Sequence, residues 1–236
     1  MGSTAGATST ATTRRAVPKA RADAARNRER IVAAAREAYV IHGADAPLDD
    51  IARRAGVGNA TLYRHFPDRD KLVHGVVLAV TERIADRAQA ALDEVGEVTA
   101  AGADDAAGAG PDVFAALRTF VFAAVEERIG ALCPMLAAGF DRDDPRLLAA
   151  RRRLDRLAEE LIQRAKGAGQ LRADVEVGDL MVALSQLTRP LPGTGCAEIA
   201  RFVDRHVQLF LDGLRAPARS ELPGHAATLE ELRTPA

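Results

Sequence analysis

Five hydrogen-bonding side chains, Asn59, Thr61, Tyr63, Arg64 and His65, follow a Gly-Val-Gly turn in the stretch GVGNATLYRHFPDRDKL, Gly56 to Leu72. A surface helix has no use for so many polar types except as solvated filler, unless its partner is itself a row of donors and acceptors. Leu62 and Phe66 are one turn apart and face the same way, into a core. At about 100° per residue, Ala60 and Arg64 then point directly outward. Thr61 and Tyr63 lie on opposite flanks, with Asn59 and His65 nearer the core edge. Such a face suits the major groove of DNA. A small Ala60 lets the helix sink toward base edges, and Arg64 can fork onto a guanine, a contact worth about 1–3 kcal/mol of discrimination. The Thr61 and Tyr63 hydroxyls can reach phosphates on either wall, which fixes register without carrying sequence information. Arg69 and Lys71, near the N–H groups that open the next helix, make a second phosphate site. Each residue alone has a plainer alternative: Tyr63 packed on a neighbouring helix, His65 half-buried, Arg64 a solvated charge. Together, after a tight turn in a basic segment, they read as one recognition surface.

The elements that must hold this surface are visible in the apolar spacing. Ile31, Ala35, Ala38, Tyr39 and His42 recur at helical intervals, and Gly43 is placed as the C-cap. A second helix runs through Leu48, Ile51, Ala52 and Ala55, with Pro47 at a first-turn position and Asp49 and Asp50 favouring its dipole. Gly56 supplies the positive φ of the turn. The third helix covers about Asn59 to Phe66 and stops before Pro67. Asp68 caps a longer fourth helix carrying Leu72, Val76, Val80, Ile84, Ala88 and Leu92 at four-residue spacing. Gly96 to Pro111 reads as a flexible loop. Helical patterns resume over Val113 to Ala124 and in a shorter piece around Leu132 to Phe140, interrupted by Pro134. They continue from Asp144-Pro145 to Gly167, and around Val177–Leu187 and Ala197–Leu214. No strand pattern occurs, so the expected fold is all-α with about nine helices.

Composition agrees with that reading. Ala, Leu and Arg abound, aromatics make up 4 % and Trp is absent, which favours helices over sheets. The net charge of -1 is unevenly spread: residues 1–75 hold 13 Lys and Arg against 8 Asp and Glu, a basic front on an acidic remainder. Cys133 and Cys196 offer neither a metal pattern nor a disulfide framework and read as buried thiols. The five histidines, His42, His65, His74, His206 and His225, have no partnered Cys or Ser motif, so no enzyme is expected. Asp141 to Asp144 reads as a helix-capping loop rather than a cation site, and no metal or cofactor is expected. With no run of about 18 apolar residues and no apolar leader at the N-terminus, the expected compartment is the cytoplasm.

The segment LDDIARRAGVGNATLYRHFPDRDKL resembles the DNA-binding segment of the TetR family of bacterial transcriptional repressors. The Ile-Ala-x-x-Ala-Gly-Val run, the Leu-Tyr-x-His-Phe core and the following Arg-x-x-Leu appear in order, within a match over about residues 27–75. The resemblance implies a three-helix unit of helix-turn-helix type in which Thr61, Tyr63 and His65 touch DNA. Arg69 stands where the family usually has a phosphate-contacting Lys, and Pro47 where it prefers a Ser or Thr cap. The stretch GQLRADVEVGDL looks like the lead-in to the family's dimerising helices.

Four segments follow: a disordered basic arm over 1–22, a DNA-binding domain over 23–72, a ligand-sensing and dimerising domain over 73–215, and a flexible tail over 216–236. The arm's Arg14, Arg15, Lys19 and Arg21 either brush DNA or belong to an inert leader. By resemblance, helices four to seven enclose a small-molecule pocket and the last two pack against a second copy. Candidate pocket residues are Phe114, Leu117, Phe120, Met135, Phe140 and Leu157, whose apolar character suggests a hydrophobic or aromatic effector. Ile199, Phe202, Val203, His206, Phe210 and Leu214 form one broad stripe on the last helix, and Leu180, Met181, Leu184 and Leu187 another on the one before. Expected partners are therefore a double-stranded DNA operator, a second copy of the chain and a small-molecule effector, with no membrane. The leading function is a ligand-responsive dimeric regulator, chiefly a repressor. A constitutive or architectural DNA-binding dimer and an all-helical interaction module stand as alternatives.

Overall fold

The structure, a computed structural model, describes residues 16–101, 112–127, 143–189 and 196–233. Nine α-helices occur among the described residues: α1 (Ala16–His42), α2 (Leu48–Ala55), α3 (Asn59–His65), α4 (Arg69–Ala101), α5 (Val113–Glu126), α6 (Pro145–Gly167), α7 (Val177–Leu187), α8 (Cys196–Leu214) and α9 (Leu229–Arg233). A single antiparallel bridge, Leu171 to Arg215, is the only extended pairing found there. None of these helices is long and apolar enough to cross a membrane.

The first three helices and the start of α4 share a core of Ile31, Ala35, Ala38, Tyr39, Ile51, Ala52, Ala55, Leu62, Phe66, Leu72 and Val76, all buried. Burying each large apolar side chain contributes about 1.5–3 kcal/mol, which is what holds helices as short as α2 and α3 in place. Two glycines are required by this packing. Gly56 takes φ +63° and its N–H donates to Ala52 O and Arg53 O, closing α2 as expected. Gly75 on α4 lies under the Phe66 ring, where a Cβ would stand 2.7 Å from Phe66 Cε1.

Below this head lies the body, in which α4 packs against α5 and α6 and α7 packs against α8. Its core includes Phe114, Leu117, Phe120, Leu147, Leu157, Leu161, Leu180, Leu184, Val207 and Leu211. Two helix starts are capped where the sequence places acids. Asp68 accepts from the Lys71 N–H at 2.7 Å, and Asp144 from the Arg146 and Leu147 N–H groups at 2.9 Å each.

Four expectations are corrected. Helix α1 begins at Ala16, inside the segment read as a disordered arm; residues 21–26 are exposed, and their Ala and Arg content extends a helix nucleated farther on without apolar burial. Residues 1–15 lie outside the described residues. Pro47 is the N-cap of α2, with extended backbone (φ -63°, ψ 130°), rather than a first-turn residue. Helix α4 runs through Gly96 to Ala101, where a loop is expected, because one exposed Gly costs a helix only about 1 kcal/mol. The rest of that loop, 102–111, lies outside the described residues, as does the expected helical piece around Leu132–Phe140.

The fourth correction concerns the tail. Residues 216–233 are not loose but fold back over the turn between α6 and α7. Arg172, 5 % exposed, donates to Ser220 O at 2.7 Å and Gly213 O at 3.4 Å while its Nε and Nη2 bind the Asp174 carboxylate. The Ala227 N–H donates to Asp179 Oδ1 at 3.0 Å, and Ala227 O sits so close to Gly178 that a Cβ there would be 2.0 Å away. A polar segment is ordered here by hydrogen bonds, which composition does not reveal.

Candidate nucleic-acid interface

Helix α3 is held from behind and open in front. Leu62 is 1 % exposed and Phe66, just past the C-terminus of α3, is equally buried, whereas Asn59, Ala60, Tyr63 and Arg64 are exposed and Thr61 and His65 half-buried. This is the distribution that Leu62 and Phe66 dictate when both face inward. The Arg64 guanidinium leans on its own helix, with Nη2 donating to Thr61 Oγ1 at 3.3 Å. Its charge therefore sits on the outer face without an acidic partner in that bond.

Three cross-links tie together α3 and the segments around it, and composition or spacing revealed none of them. Asn59 Nδ2 donates to Asp49 Oδ1 at 2.8 Å, joining the first turns of α3 and α2. Arg30 on α1 donates to Gly56 O at 3.0 Å, pinning the turn itself. Arg69 donates to Ala46 O at 2.8 Å, tying the start of α4 to the residue before Pro47. Asn59 and Arg69 thus each spend a hydrogen bond on positioning, while Lys71 is exposed beside them. Charge-assisted bonds of this kind are worth more than neutral ones. Behind the C-terminus of α3, the Arg28 guanidinium lies 4.3 Å from the centre of the Phe66 ring, a cation–π contact.

The electrostatics of His65 follow from these neighbours. Burial disfavours its charged form, and the positive charges of Arg64 and Arg28 add to the effect, so its pKa lies below the usual 6.5. At neutral pH His65 is an uncharged donor and acceptor rather than a cation.

Of the expected pocket residues, Phe114, Leu117, Phe120 and Leu157 are buried in the body at 0–8 % exposure. Phe114 is enclosed at one end of it, with the Arg215 guanidinium 4.2 Å from its ring centre and its N–H donating to Gln170 Oε1 at 2.8 Å. Met135, Phe140 and Cys133 lie outside the described residues. An open groove of about 320 Å³ runs elsewhere, between α4 and α6, lined by Glu82, Ala85, Arg146, Ala149, Ala150 and Arg153. The stripes on the last two long helices divide between core and surface. Leu180, Leu184, Val203 and Leu214 are buried, Met181, Leu187 and Phe210 half-buried, and Phe202 and His206 exposed, with Val182 and Leu209 exposed beside them.

Comparison with known proteins bears on both halves. Residues 31–76 match the family model described as bacterial regulatory proteins, tetR family, and residues 112–216 match the C-terminal domain of SbtR-like transcriptional regulators. The chain is similar to a solved TetR transcription regulatory protein from Mycobacterium vanbaalenii, with 32 % identity and a TM-score of 0.53 over 84 % of this chain and 99 % of that one. It is also similar to a TetR transcriptional regulator from Streptomyces coelicolor, with 28 % identity and a TM-score of 0.57 over 81 % and 99 % of the two chains. Among curated relatives, the HTH-type transcriptional regulator AlkX of Mycobacterium tuberculosis is 34 % identical over 78 residues, 33 % of this chain and 37 % of that protein. SrpR of Pseudomonas putida, another HTH-type transcriptional regulator, is 42 % identical over 60 residues, 25 % and 28 % of the two chains. The chain therefore spans only about a third of the length of these curated relatives.

Proposed function

The chain belongs to the TetR family of DNA-binding transcriptional regulators, and from that premise we propose that it is an operator-specific repressor acting as a homodimer. Ala60 and Arg64 of α3 meet base edges in the major groove, Arg64 forking onto a guanine. Thr61, Tyr63, Lys71 and Arg69 meet phosphates, and neutral His65 supplies a hydrogen bond. One α3 makes few contacts, so two copies reach successive major grooves about 34–36 Å apart. The exposed Val182, Phe202 and Leu209 on α7 and α8 provide the apolar surface on which two copies pack. The domain plan follows: a DNA-reading head over 23–72 and a sensing, dimerising body over 73–215. A small hydrophobic or aromatic molecule in the body releases the operator, and it does so by favouring one arrangement of the dimer over the other.

The observation that carries this reading is the outer face of α3, polar and cationic, on a helix anchored by buried Leu62 and by the bond from Asn59 to Asp49. A gel shift with the DNA flanking its own gene tests it, followed by addition of a panel of apolar and aromatic compounds. Retarded duplex that is freed by a compound supports the full reading. A shift that no compound releases reduces it to a constitutive DNA-binding dimer, and no shift at low salt removes it.

A further inference from the structure

One contact between head and body is built in a way that α5 itself does not require. Glu127 stands just past the C-terminus of α5, where the helix dipole and unpaired carbonyls make a carboxylate unfavourable. Two arginines hold it there. Arg83 on α4 grips it with both prongs, Nε to Oε1 at 2.9 Å and Nη2 to Oε2 at 2.8 Å. Arg36 on α1 reaches across from the head, with Nη1 3.1 Å from Oε2 and donating also to Glu126 O at 3.3 Å. The Glu127 side chain is 16 % exposed and that of Arg36 27 %, so solvent screens the pair only in part. Burial pushes the Glu127 carboxyl up, but the Arg83 hydrogen bonds and the charges of Arg83, Arg36 and Arg87 outweigh it and hold the pKa below the ordinary value.

Helix α4 already joins head to body as one continuous rod, so a second tie adds little to holding them together. What an off-axis tie adds is resistance to rocking of the head about α4. We propose that Glu127 and Arg36 are positioning residues that set the angle of each head, and hence the separation between the two α3 helices, so that the dimer discriminates half-site spacing. This rests on the dimeric reading above. Neither residue touches DNA; each acts by fixing where the other elements stand.

The test uses the full chain and an operator enriched by the wild type from a randomised duplex library. Affinity is then measured for duplexes whose half-sites are moved one or two base pairs closer or farther apart. The wild type is expected to lose affinity steeply on either side of its optimum. Arg36→Ala and Glu127→Ala are each expected to flatten that profile by about tenfold, with base preference within each half-site unchanged. The double variant should match Glu127→Ala, which already removes the Arg36 bond together with the two from Arg83. Glu127→Gln, which keeps the shape and loses the charge, should fall between and guards against misfolding of the Ala variants. Variants that keep the wild-type spacing profile overturn the proposal alone. A wild type that enriches no duplex overturns the operator reading and this one with it.

Discussion

At the residue scale, the division of labour on α3 leads to two different signatures. Arg64 is exposed, outward and bonded to Thr61 of its own helix, so Arg64→Ala should relax base preference at one position per half-site, costing about 1–3 kcal/mol against the preferred base. Selection from a randomised library before and after the change measures this, and an unaltered preference would refute the base-reading role. His65 should behave otherwise. Its pKa lies below 6.5 because burial and the charges of Arg64 and Arg28 oppose protonation, so at pH 7.5 it releases no counterion. His65→Gln should leave the slope of log affinity against log salt unchanged at pH 7.5, where loss of a phosphate-contacting cation would reduce it by about one unit. The sign for stability is equally fixed. A depressed histidine pKa contributes stability that is present above 6.5 and lost as pH falls through that value and below. The types and outward order of these side chains were legible in the sequence, because Leu62 and Phe66 fix the helix phase. The bonds from Asn59 to Asp49 and from Arg69 to Ala46 were not, since they join residues 10 and 23 positions apart.

At the element scale, punctuation explains what was legible. Gly56, Pro67, Asp68 and Asp144-Pro145 place α2, α3, α4 and α6 where the structure has them, since each acts through its own backbone or the adjacent N–H groups. The ends of α1 and α4 escaped because helix propagation into Ala-rich sequence leaves no apolar stripe to read. The strap of residues 216–233 escaped for a related reason, being held by hydrogen bonds to Arg172 and Asp179 and by the close approach of Ala227 to Gly178. Those bonds make the strap testable. Gly178→Ala would thrust a Cβ to within 2.0 Å of Ala227 O, a backbone atom that can yield only by moving the strap. The expected result is faster tryptic cleavage at Arg219, with the operator affinity unchanged; equal cleavage rates would show that the strap is not seated on α7. A second element, α1, carries its own cost. Tyr39 is 1 % exposed, its hydroxyl has no hydrogen-bond partner among the described residues, and burial pushes its pKa up to about 12. Tyr39→Phe should therefore stabilise the head by up to about 1–3 kcal/mol, the cost of leaving a buried hydroxyl unsatisfied; a lowered melting temperature would contradict this.

At the scale of the whole molecule, a basic head is carried on an acidic body, and the two are joined by the rod of α4 and by the bond from Arg36 to Glu127. The head offers a polar, cationic face on α3, and the body exposes Val182, Phe202 and Leu209, the surface on which the proposed function has two copies meet. Under the proposed function, repression, release by an apolar molecule and the choice of spacing would all follow from that pairing. The most direct measurement is selection of duplexes from a randomised library by the purified full chain, with the mass of the selected complex determined in solution. Two subunits on a site with two-fold symmetry, its half-sites one helical turn or a multiple of it apart, is the outcome this account predicts. A single subunit, or a pool that remains random at low salt, would contradict it.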